Sequence, residues 1–165
     1  MPPPSSADLK ARRRQDYPYM LDYRTRWNDN DMYDHMNNSV YNFLFDSAVN
    51  AYLAESCSIH PPTSPQHPLV AHTATHYLGP MAYPAVADVG LRVARLGHSS
   101  VAYELALFER GAPDAEGPRA VCHFVHVFVE RKTGRPPPAG MAAELRRGLE
   151  RICTAAPGAA SSSKM

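Results

Sequence analysis

Val40-Tyr41-Asn42-Phe43-Leu44-Phe45-Asp46-Ser47-Ala48-Val49-Asn50-Ala51-Tyr52-Leu53-Ala54-Glu55 is the stretch that decides the architecture. Drawn as a helix, its apolar side chains cover most of the circumference, and only Asn42, Asp46 and Asn50 form a polar stripe. A helix apolar nearly all round is a buried one. At about 1.5 Å per residue these positions make a rod of roughly 24 Å. Ser39 is the expected N-cap, its hydroxyl meeting a free N–H. Such a rod needs a sheet around it.

The strands are legible on either side. From Tyr19 to Trp27 the chain alternates, with Tyr19, Leu21, Tyr23, Thr25 and Trp27 on one face and Asp22, Arg24 and Arg26 on the other. After a proline-rich loop at His60–Pro68, Leu69 to Leu78 alternates weakly, and Ala85 to Leu96 alternates clearly. Gly97-His98 makes a turn into a strand over Val101–Leu107. Ala120 to Glu130 is apolar on both faces, the mark of a central strand. Met141 to Ile152 reads as a short charged helix. The order is strand, helix, then four strands, an α+β chain without internal repeats.

A chain of 165 residues suits one domain. Its formal net charge of +1 gives no reason to expect a nucleic-acid or membrane partner, and no apolar run approaches the roughly 18 residues of a membrane span. Cys57, Cys122 and Cys153 are too scattered for a disulfide framework or a zinc site, which points to a reducing compartment. Residues 1–16, Pro/Ser-rich and then basic, are expected to be a flexible solvated arm. The folded domain is expected over 17–153, followed by a flexible Ala/Ser/Gly/Pro-rich tail over 154–165. Its last residues, Ser163-Lys164-Met165, are similar to a C-terminal peroxisomal address, implying a peroxisomal import receptor and location in a eukaryote and a cytoplasmic one otherwise.

Between first strand and helix lies an acidic, amide-rich turn, Asp29-Asn30-Asp31-Met32-Tyr33-Asp34-His35-Met36-Asn37-Asn38. It places a carboxylate near a helix N-terminus, where free N–H groups can meet developing negative charge. A base beside an anion-stabilising helix end is most of what hydrolysis of an activated ester needs.

The pattern Arg26-Trp27-Asn28-Asp29-Asn30-Asp31, then Asp34-His35-Met36-Asn37-Asn38 and Tyr41, resembles the 4-hydroxybenzoyl-CoA thioesterase-like branch of hotdog-fold acyl-CoA thioesterases. Tyr77 before Pro80, Arg95 to Ser100, and Val129-Glu130-Arg131 leading to Gly134-Arg135-Pro136 fit it too. The resemblance implies a hotdog fold, with a five-stranded antiparallel sheet wrapped round the helix. It also implies a homodimer or dimer of dimers paired edge to edge, with active sites at the interface. The catalytic carboxylate maps to Asp31. One position departs from the pattern: Asp34 stands where the family commonly has Gly, which suggests a backbone with φ > 0 that Asp tolerates better than most residues.

On this reading the chain hydrolyses an acyl-CoA to free acid and coenzyme A, without cofactor or metal. Asp31 either activates water or attacks the carbonyl directly, and backbone N–H groups around Asn37, Asn38 and Ser39 receive the oxyanion. The bland reading is that these Asp and Asn side chains only brace a tight turn. His35, Tyr41, Tyr77, Ser99 and Ser100 are candidate substrate-binding residues, with the last three on the neighbouring subunit's side. Arg92, Arg95, Arg131, Lys132 and Arg135 are candidate partners for the coenzyme's phosphates. His72 and His76 have helical metal-ligand spacing in a segment that reads as strand, with His123 and His126 on opposite faces of another. Two rivals remain: an acyl-CoA-binding hotdog protein without turnover, which Asp34 suggests, and a hotdog enoyl-CoA hydratase or dehydratase in which His35 outranks Asp31.

Overall fold

Alternating burial builds the first strand, β1 (Tyr19–Arg24), in the computed structural model, which describes residues 4–154. Tyr19, Leu21 and Tyr23 are half-buried, while Met20, Asp22 and Arg24 face out. Four longer strands follow the buried helix: β2 (Gln66–Tyr77), β3 (Val86–Leu96), β4 (Ser100–Glu109) and β5 (Ala120–Glu130). They form one sheet in the order β1-β3-β4-β5-β2, antiparallel at every junction. Ala120–Glu130 is therefore interior, as its two apolar faces require, although β4 rather than β5 is the middle strand.

Among the described residues, three α-helices accompany the sheet: α1 (Ser6–Lys10), α2 (Asn38–Ser56) and α3 (Ala143–Glu150). The long helix α2 lies on the inner face, over β1 and β3. Its Tyr41, Leu44, Phe45, Ala48, Val49, Tyr52 and Leu53 are buried. They pack on Val89 and Leu91 of β3, Tyr103 and Leu105 of β4, and Phe124 and Phe128 of β5. Each large apolar side chain so buried stabilises the fold by about 1.5–3 kcal/mol. At the C-terminal end of α2, the Tyr52 hydroxyl donates to the Gly148 carbonyl at 2.6 Å. A Cβ on Gly148 would lie 2.5 Å from both Cys57 Sγ and the Ser56 carbonyl, so only glycine lets α3 approach this closely.

Four expectations are revised. Phe43 is 65% exposed, so one side of α2 is uncovered. Ser39 is not the N-cap but lies inside the first turn, because Asn37 takes the capping role. The first strand stops at Arg24, and Trp27 stands 79% exposed in a single 3₁₀ turn, edge-on to Tyr83. The N-terminal segment is not a solvated arm. Leu9 is fully buried with Tyr17, Ala106, Phe108 and Val121 on the outer face of the sheet. There Glu104 accepts Arg12 at 2.9 and 3.2 Å, Arg92 at 2.7 Å and the Tyr17 hydroxyl at 2.9 Å. A carboxylate buried in mid-sheet requires cationic partners, and the N-terminal segment supplies one of them. Ser163-Lys164-Met165 and nearly all of the expected tail lie outside the described residues.

Candidate active site

The turn between β1 and α2 is held from three directions. Asp29, 1% exposed, accepts the Arg26 N–H at 2.7 Å, the Tyr23 hydroxyl at 2.9 Å and the Arg26 guanidinium at 2.9 and 3.2 Å. Burial pushes the Asp29 pKa up, but the Arg26 and Tyr23 hydrogen bonds outweigh it and hold it below the ordinary carboxylate range. The Asp29 carbonyl accepts the Asn37 N–H at 2.8 Å, which fixes where the helix begins. Asn30 pairs with Met36 in an antiparallel bridge, and its Oδ1 accepts the Tyr83 N–H at 2.9 Å. The Met36 N–H donates to the Met81 carbonyl at 2.6 Å. The turn is thereby stitched to the chain that leads into β3.

Asp31 sits inside this frame, half-buried. Its Oδ1 accepts the Tyr33 N–H at 2.8 Å and the His35 N–H at 3.4 Å, and its own N–H donates to the His35 carbonyl at 2.8 Å. Oδ2 has no hydrogen-bond partner among the described residues. One oxygen braces the turn while the other is left without a partner among the described residues. Asp34 adopts φ 60°, the left-handed backbone that its place in the pattern suggested.

The helix start differs in detail from expectation. The Asn37 side chain accepts both the N–H of Ser39 at 2.9 Å and its hydroxyl at 2.7 Å. With the Asn37 N–H bonded to Asp29, only the Asn38 N–H of the three expected oxyanion donors lacks an acceptor among the described residues. Asn37 is thus the cap, and the Asn38 N–H is left free among the described residues.

Of the candidate substrate-binding residues, His35, Tyr41 and Tyr77 gather at this end. The His35 backbone closes the turn and its exposed ring makes no hydrogen bond among the described residues. Tyr41 is buried and edge-on to Tyr77 at 5.3 Å, and the Tyr77 hydroxyl lies 3.4 Å from the Asn38 carbonyl. Ser99 and Ser100 lie in the β3–β4 hairpin, at the opposite end of the same sheet. Arg95, Arg131, Lys132 and Arg135 are exposed at that far end. Arg92 is excluded as a phosphate partner because it is buried against Glu104.

His72, His76 and His123 face outward, His76 and His123 edge-on at 5.8 Å, whereas His126 faces the core. No group of three or more His, Cys, Asp or Glu that could hold a metal exists among the described residues. Sequence reasoning missed a shallow cavity of about 340 Å³ lined by Arg24, Thr25 and the segment from Tyr83 to Val86. Its only advance signal was the Tyr-Pro pair beside an aromatic-rich turn.

Residues 25–145 match the thioesterase-like superfamily. The chain is 42% identical to the PA5185 protein of Pseudomonas aeruginosa strain PAO1, covering 87% of this chain and 97% of that one, with a TM-score of 0.80. It is 27% identical to the PA2801 protein of Pseudomonas aeruginosa, described as a proposed thioesterase, over 81% and 98% of the two chains, with a TM-score of 0.71. A thioesterase of Thermus thermophilus, solved with coenzyme A and zinc, shares the fold at 24% identity and a TM-score of 0.67, over 84% and 96%. No curated protein matches.

Proposed function

This chain belongs to the thioesterase-like superfamily and has the hotdog fold, and from that premise we propose that it is an acyl-CoA thioesterase that releases free acid and coenzyme A. The observation that carries the reading is the unequal use of the Asp31 oxygens. Oδ1 is tethered by two backbone N–H groups, and Oδ2, on a half-buried residue of the turn that leads into α2, is unpaired among the described residues. A carboxylate held this way retains a lone pair for the proton of an attacking water. The unpaired Asn38 N–H at the positive end of α2 would receive charge from the thioester oxygen. As general base, Asp31 takes a proton from water while that water's oxygen bonds to the acyl carbon. Collapse of the tetrahedral intermediate breaks the C–S bond, and the coenzyme A thiolate takes up the proton held by Asp31, which regenerates the carboxylate. As nucleophile, Asp31 would instead bond to the acyl carbon and expel the coenzyme A thiolate, giving a mixed anhydride that water then cleaves to free acid and the carboxylate.

A homodimer paired through β2 completes the proposal. β2 is an edge strand with Leu69 49%, Val70 54% and Tyr77 45% exposed, an unpaired ladder beside apolar surface. Antiparallel pairing of two such edges would bring the far end of one sheet, with Ser99, Ser100 and the exposed basic residues, to the partner's Asp31 end. Those basic side chains then suit the coenzyme's phosphates.

A panel of acyl-CoAs with thiol detection tests the activity. Thiol release lost in Asp31→Asn and kept in His35→Ala supports hydrolysis. Hydration of an enoyl-CoA without thiol release would instead support the dehydratase reading, and binding without product the non-catalytic one.

A further inference from the structure

Asn42 belongs to the polar stripe of an otherwise apolar helix, and both ends of its amide are engaged. Its Nδ2 donates to the Asn38 carbonyl at 3.2 Å and to the Tyr77 hydroxyl at 3.5 Å, while Oδ1 accepts the Thr75 hydroxyl at 2.9 Å. The Tyr77 hydroxyl in turn donates to the Asn38 carbonyl at 3.4 Å. A carbonyl only accepts, so Nδ2 must face it and Oδ1 is left for Thr75. Three side chains from α2 and β2 thus close a circuit on one backbone oxygen in the first turn of the helix. Hydrogen bonds chained in this way polarise and strengthen one another.

Position gives the circuit its meaning. In a helix the N–H groups point towards the N-terminal end and the carbonyls towards the C-terminal end. Asn38 therefore offers its free N–H at the end of α2 that the Asp31 turn leads into, while its carbonyl is gripped from behind. Ahead of it, the Asn37 N–H is bonded to the Asp29 carbonyl at 2.8 Å. The Tyr77 ring is itself held edge-on against the buried Tyr41 at 5.3 Å. Asn50 shows what the circuit adds. Its Nδ2 donates to the Asp46 carbonyl at 2.9 Å, the same four-residue back-bond, but no strand side chain bonds to Asn50 among the described residues. A back-bond alone stays within the helix, whereas the ties from Thr75 and Tyr77 fasten the helix start to β2.

We propose that Asn42 is a positioning residue of the reaction: by anchoring the Asn38 carbonyl to β2, it keeps the Asn38 N–H aimed at the thioester oxygen as charge develops there. The proposal deepens the thioesterase reading and rests on it. Displacing a reacting group by about 1 Å can cost about a hundredfold in rate. Ground-state binding of the substrate does not depend on that single N–H, so the loss should fall on kcat rather than KM.

The test measures thiol release by the full chain with acetyl-, octanoyl- and benzoyl-CoA, alongside melting curves. Asn42→Leu, close in shape but without the amide, should lower kcat by about ten- to hundredfold. Its KM should stay within about threefold, and its thermal midpoint close to wild type because the circuit is exposed. Asn42→Gln, with the amide on a longer stem, should recover part of kcat. Tyr77→Phe keeps the Asn42 back-bond and should cost about two- to tenfold, and the double variant less than the product of the two. Asn50→Leu, the same change two turns on, should stay within about twofold of wild type. An NMR order parameter for the Asn38 amide, near the rigid value of about 0.85 in wild type, should fall in Asn42→Leu and not in Asn50→Leu. If no acyl-CoA is cleaved, the thioesterase reading falls, and the clamp on Asn38 stands or falls with that order parameter. A raised KM at unchanged kcat would make Asn42 a substrate contact and overturn the positioning role. So would an equal loss of kcat in Asn50→Leu, a loss that tracks a large drop in thermal midpoint, or an order parameter that does not move.

Discussion

Asp31 and His35 hold each other by two backbone links, the Asp31 N–H donating to the His35 carbonyl at 2.8 Å and the His35 N–H reaching Asp31 Oδ1 at 3.4 Å. On the proposed reading, turn bracing and chemistry fall to different atoms of the Asp31 side chain. Asp31→Asn keeps an Oδ1 that can accept both N–H groups and removes the base. The expected outcome is a drop in kcat of about 10²- to 10⁴-fold with an unchanged thermal midpoint. Thiol-release kinetics and a melting curve on the same preparation check it. A large fall in midpoint alongside the lost activity would return Asp31 to a bracing role.

Asp29, two residues earlier, behaves oppositely. It is buried under Arg26 and Tyr23, and its loss strands a buried hydroxyl and a backbone N–H. Asp29→Ala should destabilise the fold by about 2–4 kcal/mol in urea unfolding. Its pKa is lowered in the fold, so its stabilisation is fully present above the unfolded value near 4 and is lost as pH falls below it.

How much of this was readable beforehand depended on what kind of interaction carried it. Strands whose burial alternates, and a helix apolar on nearly every side, announce themselves because periodicity is local. The left-handed backbone at Asp34 was legible only through the resemblance to a family that commonly has Gly at that position. The N-terminal segment was not legible. Arg12 reads as one more solvated charge until Glu104, 92 residues away, is known to need it. Likewise nothing local says that Asn37 rather than Ser39 caps α2, for both are good caps. The Asn37 N–H bond to the Asp29 carbonyl decides it.

The buried acid on the outer face yields a separate expectation. Burial pushes the Glu104 pKa up, but Arg12, Arg92 and Tyr17 outweigh it and hold it below the ordinary range. Glu104→Gln leaves two guanidinium groups without their carboxylate, and should cost about 3–5 kcal/mol. Chemical unfolding at neutral pH measures the loss. In wild type the Glu104 contribution is complete above the ordinary glutamate value near 4.3 and disappears as pH falls below it.

His126 acts in a different pH window. Burial among Phe124, Phe128 and Tyr103 pushes its pKa down to about 4, so it stays neutral in the fold where an unfolded chain would bind a proton. The unfolded state gains protons first, and stability therefore falls as pH drops from about 6.5 to about 4, by up to roughly 3 kcal/mol. His126→Phe removes the titrating group, and urea midpoints measured across that window should flatten relative to wild type. An equal slope in the variant would show that another group carries the acid sensitivity.

Asp34 brings a second carboxylate to the turn, and its removal tests which of the two serves the proposed reaction. Its φ of 60° costs any residue with a side chain about 1–2 kcal/mol, less for Asp, and glycine adopts it freely. Asp34→Gly relieves that strain but loosens the unfolded chain by roughly 0.5–1 kcal/mol, so the two effects should nearly cancel in the unfolding free energy. Removing the extra charge leaves the Asp31 bonds to Tyr33 and His35 intact, because both are made by backbone N–H groups. Thiol-release activity in Asp34→Gly should stay within about threefold of wild type. If Asp34→Gly loses activity while Asp31→Asn retains it, the roles of the two residues are exchanged, and the base lies at the exposed apex of the turn rather than in its half-buried wall.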